Sequence, residues 1–269
     1  MNDFVIVGGG IFGKTIAASL RKAGAKGKIV DSGHPKAGSR PSACLMKPSW
    51  FASLGKHAFE PAIAELDSIY ELKELKFQVG KLFNVKVFWI NPQEIMAVPA
   101  TQGKVIKILD GGVRLKTGEE LKARHVIVAA GVWSGNLMPV DIQAKAGWGF
   151  YFPGQIKTPF IKPWAPYRQI SAFNIDNNNI WVGDTTALKP ESATDARREQ
   201  SADRCSNAIG RLNGEARAIM GYRPYCNPVN SGDPCYLNKI GNVWIATGGG
   251  KNGTLAAGWC AYKLRQALS

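Results

Sequence analysis

Residues 4–31, FVIVGGGIFGKTIAASLRKAGAKGKIVD, leave this chain few choices of fold. Residues 4–7 are a short apolar run rich in β-branched side chains, the pattern of a strand buried on both faces. Gly8, Gly10 and Gly13 follow at G-x-G-x-x-G spacing. Gly8 permits a tight turn, Gly10 lets a pyrophosphate approach the backbone, and Gly13 lets helix and strand pack closely. Ile11, Ile16, Ala17 and Leu20 form an apolar helical stripe, and Lys28 opens a second strand that closes on Asp31. The helix N-terminus presents free N–H groups to an anion, and an acid ending the second strand accepts hydrogen bonds from ribose hydroxyls. Strand, glycines, helix, strand and acid in this order predict a dinucleotide site, open at this point between NAD and FAD.

At 269 residues with 45% hydrophobic side chains, the chain suffices for one large domain or two interleaved ones. It shows no apolar run of bilayer length and no leader with an h-region, so no membrane association and a cytoplasmic location are expected. The five cysteines, Cys44, Cys205, Cys226, Cys235 and Cys260, form no C-x-x-C pair and read as reduced thiols. His34, His57 and His125 lack metal-ligand spacing, so no metal is assigned. Charge is the unusual bulk property: 34 Lys and Arg against 20 Asp and Glu give a formal +14. Such a balance suits either a polyanionic partner or a generally basic solvated surface, the positive residues being spread along the chain.

Residues 32–50 are rich in Gly, Ser and Pro and read as a loop crossing the bound cofactor. Residues 51–80 carry helical periodicity (Ala62, Leu66, Ile69, Tyr70, Leu72), with Pro61 suited to a first turn. Residues 81–88, 105–109 and 113–115, with a turn at Thr117-Gly118, read as a β-meander whose last strand, 125–130, runs into Gly131. From residue 141 to 184 the pattern is strand-like and aromatic, with Trp148, Phe150, Tyr151, Phe152, Trp164, Tyr167, Phe173 and Trp181. These suit an antiparallel sheet facing a substrate, or core packing. Residues 191–220 read as one helical segment, broken near Gly210 or Gly214, with Arg197, Arg204 and Arg211 on one face: a solvated face or a phosphate-contacting ridge. A strand at 242–246, a glycine loop at 248–253 and a helix at 254–268 return the chain to the dinucleotide domain.

Taken together, the N-terminal glycines, Ala129-Ala130-Gly131-Val132-Trp133-Ser134, Gly221-Tyr222-Arg223-Pro224 and Ala246-Thr247-Gly248-Gly249-Gly250-Lys251-Asn252-Gly253-Thr254 resemble the D-amino-acid oxidase and glycine oxidase family of flavoproteins. The resemblance covers most of the chain and favours FAD over NAD. It implies an α/β fold: a discontinuous Rossmann-like FAD-binding domain (1–50, 102–140, 221–269) with an inserted, shortened antiparallel-sheet substrate domain (51–101, 141–220). It implies that Gly8, Gly10, Ile11, Phe12, Gly13, Asp31 and Ser32 hold the ADP part of FAD. Ser39, Arg40, Ala43, Cys44 and Leu45 would pass along the flavin, with Ala130, Gly131 and Trp133 against the cofactor. Gly249, Gly250, Lys251, Asn252, Gly253 and Thr254 would bring N–H groups and a helix N-terminus to the flavin pyrimidine. Arg223 matches the family's carboxylate-gripping arginine and Tyr167 its substrate tyrosine. Cys226 and Cys235 do not fit the spacing of a covalent flavin link.

The chain is shorter than the family's usual members, chiefly between Met46 and Lys81, which implies an open site. Open access and the +14 charge together favour a bulky anionic substrate. The chain is similar in type to phage flavoenzymes that act on glycyl-modified thymine in DNA, and its FAD domain to that of a tRNA-modifying enzyme. The resemblance thus implies hydride transfer from the glycine Cα to flavin N5, then imine hydrolysis to glyoxylate and a primary amine. DNA is the expected partner and molecular oxygen the expected acceptor. The alternatives are a small-molecule glycine, sarcosine or D-amino-acid oxidase, and a non-catalytic flavoprotein subunit of a larger oxidase.

Overall fold

The computed structural model describes residues 1–48, 56–79, 83–165, 168–210 and 216–268. In chain order the elements are β1 (Asn2–Val7), α1 (Ile11–Lys22), β2 (Gly27–Asp31), β3 (Leu45–Met46), α2 (Lys56–Ile69), β4 (Lys73–Val79), β5 (Phe83–Trp89) and α3 (Pro92–Ala97). Then come β6 (Thr101–Gln102), β7 (Val105–Leu109), β8 (Gly112–Leu115), β9 (Glu120–Val128), β10 (Gln143–Pro153), β11 (Phe160–Ala165), β12 (Arg168–Asn174) and β13 (Asn179–Gly183). The chain closes with α4 (Asp195–Ala208), β14 (Arg217–Tyr225), β15 (Tyr236–Ile240), β16 (Val243–Thr247) and α5 (Gly253–Leu268).

The first sheet runs β15-β16-β9-β1-β2-β6, with β7 and β8 folded on as a meander from β9. The stretch expected at 81–88 as the meander's first strand is corrected: its described part is strand β5, which pairs with β4 and β3 in the second sheet, since its hydrogen-bond partners are set by register with residues 73–79 and not by the strands that follow it. Strands β16, β9, β1, β2 and β6 are parallel, as βαβ connections require. Alternation explains why they are apolar throughout. Phe4, Ile6, Ile29 and Ile127 face helices α1 and α5, while Val5, Val7, Val30, Val126 and Val128 face the meander. Residues 56–69, assigned by sequence to the substrate domain, pack as α2 on α1 and α5 through Ala58, Ala62 and Leu66. Between these helices Glu65 is buried, accepting from Ser19 Oγ and from both nitrogens of an Arg265 fork.

The second sheet has the order β14-β10-β13-β12-β11-β4-β5-β3 and is antiparallel except where β11 meets β4. Its period-2 pattern is strict. Trp148, Phe150, Phe152, Ile170, Ala172, Ile180 and Val182 point one way, into a core closed by Cys205 and Ile209 of the α4 segment. On the other face, Gln169, Ser171, Trp181 and Gly183 line a cavity shared with the first sheet, and Ile161 and Phe173 pack with Phe77, Val87 and Trp89.

Two expected helical stretches are corrected. The helix expected over 51–80 ends at Ile69, and residues 73–79 are strand β4, its Phe77 wholly buried in another core. Pro61 therefore falls inside α2. The helix expected over 191–220 ends at Ala208, and residues 217–220 open β14. Of the arginines expected on one face, the two that are described point to different partners. Arg204 turns inward to Asp184 at 2.8 Å and Arg197 bonds Gln200, while Arg211 lies outside the described residues.

Asp184, 1% exposed, fastens α4 to the sheet through Ser201 Oγ at 2.5 Å, Arg204 Nη2 at 2.8 Å and the Thr186 N–H at 3.0 Å. Burial opposes its ionisation, yet these donors together hold its carboxyl below the usual carboxylate range. A depressed folded-state pKa means stability present above the unfolded value of 3.8 and lost as pH falls through the folded value. Asp184→Asn is therefore expected to cost about 3 kcal/mol at neutral pH, read by urea denaturation. It should also flatten the acid limb of the stability profile below pH 3.8.

Candidate active site

One large cavity, about 1250 Å³, runs from the β1–α1 turn to the odd-numbered face of the second sheet. Its first wall is the glycine turn. Gly8 has φ +109°, and a Cβ there would lie 2.4 Å from the Ala129 carbonyl oxygen. A Cβ on Gly13 would lie 1.9 Å from the Gly8 oxygen, so this helix can start here only on glycine. The α1 N-terminus carries no acidic residue in its first turn. Ser39 Oγ accepts from the Ile11 N–H at 3.1 Å, tying the 32–44 loop to the helix start. Asp31 and Ser32 continue this wall, and the mutually tilted rings of His34 and Trp133, their centres 4.1 Å apart, stand beside it.

The middle is built by three chain returns. Ala43, Cys44 and Leu45 pass along one side; Ala130, Gly131 and Trp133 follow β9 on another. Cys44 holds φ +53°, its N–H donating to Ser42 Oγ, and burial pushes its thiol up to about 11. Residues 249–254, a 3-10 turn leading into α5, form the third side. α5 likewise has no acid in its first turn, so its positive end is uncompensated toward the cavity.

The far wall is the second sheet, where Lys145 stands opposite Arg223, Gly147 opposite Gly221, and Ser171 opposite Gly183. Opposed residues share a face, so these glycines strip side chains from the cavity side of the sheet. Into the cleared space fold three groups. The Arg223 guanidinium lies over Gly147, where a Cβ would sit 2.9 Å from Cζ, and Nη1 donates to the Thr186 carbonyl at 3.1 Å. The Trp181 indole lies across Gly183 and Gly149, its Nε1 donating to the Pro41 carbonyl at 3.1 Å. Pro41 covers Gly221.

Of the residues expected from sequence, the cavity brings together Arg223 and the cofactor positions, with three exceptions. Gly13 supports the turn from behind, Arg40 is exposed and does not line the cavity, and Tyr167 lies outside the described residues. Sequence reasoning missed Arg168, Tyr225 and the glycines beneath Arg223. Tyr225 was legible in the period-2 spacing of Arg223-Pro224-Tyr225. Its ring packs on Gly250 and its backbone bridges Gly249, joining the arginine strand to the glycine loop. Trp181, one of many aromatics in sequence, lines the cavity, whereas Trp148, Phe150 and Phe152 lie in the α4-side core. Among the described residues, no group of three or more His, Cys, Asp or Glu is placed to hold a metal, and no helix is long and apolar enough to cross a membrane.

A parallel sheet with a glycine turn at a helix start, an acid ending the second strand, and a cavity of about 1250 Å³ that both line are the features of a dinucleotide-dependent enzyme. The turn fits that ligand, since Cβ atoms at Gly8 and Gly13 would strike backbone oxygens. The chain belongs to the family described as DAO, FAD dependent oxidoreductase, whose pattern matches residues 97–267, and FAD is accordingly its cofactor. Comparison with curated protein sequences finds no match. The fold is that of solved structures of low sequence identity. L-proline dehydrogenase from P.horikoshii superposes with TM-score 0.75 at 15% identity, over 100% of this chain and 93% of that one. Iminodiacetate oxidase from Chelativorans sp. BNC1 gives 0.68 at 16% identity, over 97% and 94%. Glycine oxidase from Bacillus cereus ATCC 14579 gives 0.66 at 15% identity, over 100% and 95%.

Proposed function

We propose that this enzyme oxidises the C–N bond of an N-substituted glycine, and that this glycine is carried on a hypermodified thymine or uracil of DNA. The observation that carries the first half is Arg223, a half-buried guanidinium anchored on Thr186 and presented to the cavity beside the glycine loop. A guanidinium fork matches a carboxylate in two parallel hydrogen bonds, which fixes the orientation of the adjacent Cα. The second half rests on the +14 charge and on a cavity whose lining holds Asp31 as its only carboxylate among the described residues.

FAD, when bound, supplies the two-electron acceptor. The protein's own work is binding and orientation, so no acid–base dyad is required when the amine arrives neutral. In this reading the 8–13 turn, Asp31 and Ser32 hold the ADP part. Ala43, Cys44, Leu45, Ala130, Gly131, Trp133 and residues 249–254 hold the remainder. Arg223 seats the carboxylate, while Trp181 and Tyr225 wall the substrate from water. Loss of two electrons and one proton, together a hydride, from the Cα of the neutral amine leaves a protonated imine on the glycine Cα–N unit. Water then releases glyoxylate and a primary amine on the base, with molecular oxygen as final acceptor. A base within a duplex must be flipped out to reach the cavity, costing roughly a few kcal/mol. The enzyme would work in the cytoplasm, that of the host if a phage encodes it.

Incubating the FAD-loaded enzyme with DNA carrying glycyl-thymidine, followed by nucleoside mass analysis, is expected to show the primary-amine nucleoside and free glyoxylate. DNA affinity should fall linearly on a log–log salt plot, by about one unit of slope per phosphate contacted. The likeness in fold to glycine oxidase and iminodiacetate oxidase favours a second reading, a small-amine oxidase. Unchanged nucleosides, together with anaerobic bleaching of the flavin by glycine or sarcosine, would establish that reading instead.

A further inference from the structure

Arg168, Arg223 and Lys251 line the cavity, and Lys145 stands next to Arg223 on the neighbouring strand. Lys145 and Arg223 are directly opposed on β10 and β14 and so share a sheet face. Arg168, at the start of β12, and Lys251, in the glycine loop, line the same cavity as Arg223. Lys145 places its ammonium 4.6 Å from the centre of the Tyr225 ring, which itself packs on Gly250 beside Lys251. The Lys251 ammonium loses hydration and feels the charges of Arg223, Arg168 and Lys145, all of which disfavour its protonated form. Among the described residues none of the four forms an ion pair, although Arg204, behind the same sheet, has its own carboxylate in Asp184. The only carboxylate in the described cavity lining, Asp31, belongs to the β2 end beside the glycine turn.

One substrate carboxylate saturates one guanidinium fork. Three further cations held together without a counter-ion repel one another, and nothing else in the described fold neutralises them. We propose that Lys145, Arg168 and Lys251 form a second anion subsite beside Arg223, so that the substrate is an amine carrying a second anionic group, carboxylate or phosphate, besides its glycine carboxylate. The inference rests on Arg223 as the carboxylate seat and deepens that reading by naming the substrate's charge. A phosphate would come from the backbone flanking a modified base, and a carboxylate from a small dicarboxylic amine.

The test uses FAD-loaded enzyme and non-oxidisable probes, with perturbation of the flavin spectrum as readout. Acetate reports the first seat, malonate adds a second carboxylate, and oligothymidylate supplies backbone phosphates. Malonate is expected to bind about tenfold tighter than acetate, or oligothymidylate to displace acetate at micromolar strand concentration. Either advantage should be lost in Lys145→Gln and in Arg168→Gln, each checked for full FAD occupancy. The probe that responds identifies the second anion as carboxylate or backbone phosphate. A malonate affinity equal to that of acetate together with no displacement by oligothymidylate overturns the proposal, as does an advantage that survives both substitutions. Failure of the Arg223 reading is separately visible: Arg223→Gln would then leave acetate affinity unchanged.

Discussion

Arg223→Gln is expected to lower kcat/KM for the amine substrate by about a thousandfold while FAD remains bound at full occupancy. Glutamine keeps a donor near the Thr186 carbonyl but offers neither the charge nor the fork. On the proposed reading, the interaction lost is that between a desolvated carboxylate and a charged bidentate partner, among the strongest single contacts a protein makes. Because Arg223 lies on the sheet wall and not in the glycine turn, its loss should spare the cofactor. Anaerobic titration separates the outcomes. A slow flavin reduction that still saturates at the original substrate concentration would show that Arg223 does not bind substrate. A protein purified without FAD would show that it belongs to the cofactor site.

Gly13→Val should yield a chain that neither holds FAD nor folds stably, with at least about 3 kcal/mol lost. The contact is not with a flexible side-chain end but with the Gly8 oxygen, 1.9 Å from where a Cβ would stand. Relief requires moving α1 away from β1, which pulls Ile16 and Leu20 from the core they share with Phe4 and Ile6. Gly253 is the contrast: a Cβ there meets no protein atom within 4 Å and the residue begins a helix, so Gly253→Ala should keep the Tm of the FAD-free chain. Thermal melts of both variants, read with released flavin fluorescence, check the pair. A Gly13→Val protein with wild-type Tm and bound FAD would refute the packing argument.

The β1–α1–β2 unit was legible because its instructions are local: an apolar run, glycines at fixed spacing, a helical stripe and a terminal acid all lie within residues 4–31. The meander of β7, β8 and β9 was legible for the same reason, its turns marked by glycine. Where sequence reasoning overran, it carried a helix past its end. Residues 75–79 place Leu75, Phe77 and Val79 at period 2, a strand signal that reading the segment as a continuation of the preceding helix passed over, and pairing with β5 completes the strand. Residues 217–220 likewise join β14 because β10 offers a full edge of hydrogen-bond partners. Arg204 read as a surface arginine on α4. Its true partner, Asp184, is 20 residues away and is brought beneath it only by the docking of α4 on the sheet.

The chain by itself determined the glycine turn between β1 and α1, since helix dipole, glycine sterics and strand alternation act over a few residues. It also singled out Arg223, because Gly221-Tyr222-Arg223-Pro224 could be matched by motif. What only tertiary structure decided is where that arginine lies. Gly147, Gly149, Gly183 and Gly221 come from three different strands, and nothing in their sequence neighbourhoods marks them as one surface. Sheet register aligns them, and the bare patch they leave lets Arg223 and Trp181 lie flat against the cavity wall. Lys145, Arg168 and Lys251 are brought beside Arg223 by the same non-local pairings. Charge accumulates there because hydrogen-bond registry and core burial set strand positions first, and the cations are carried along with them.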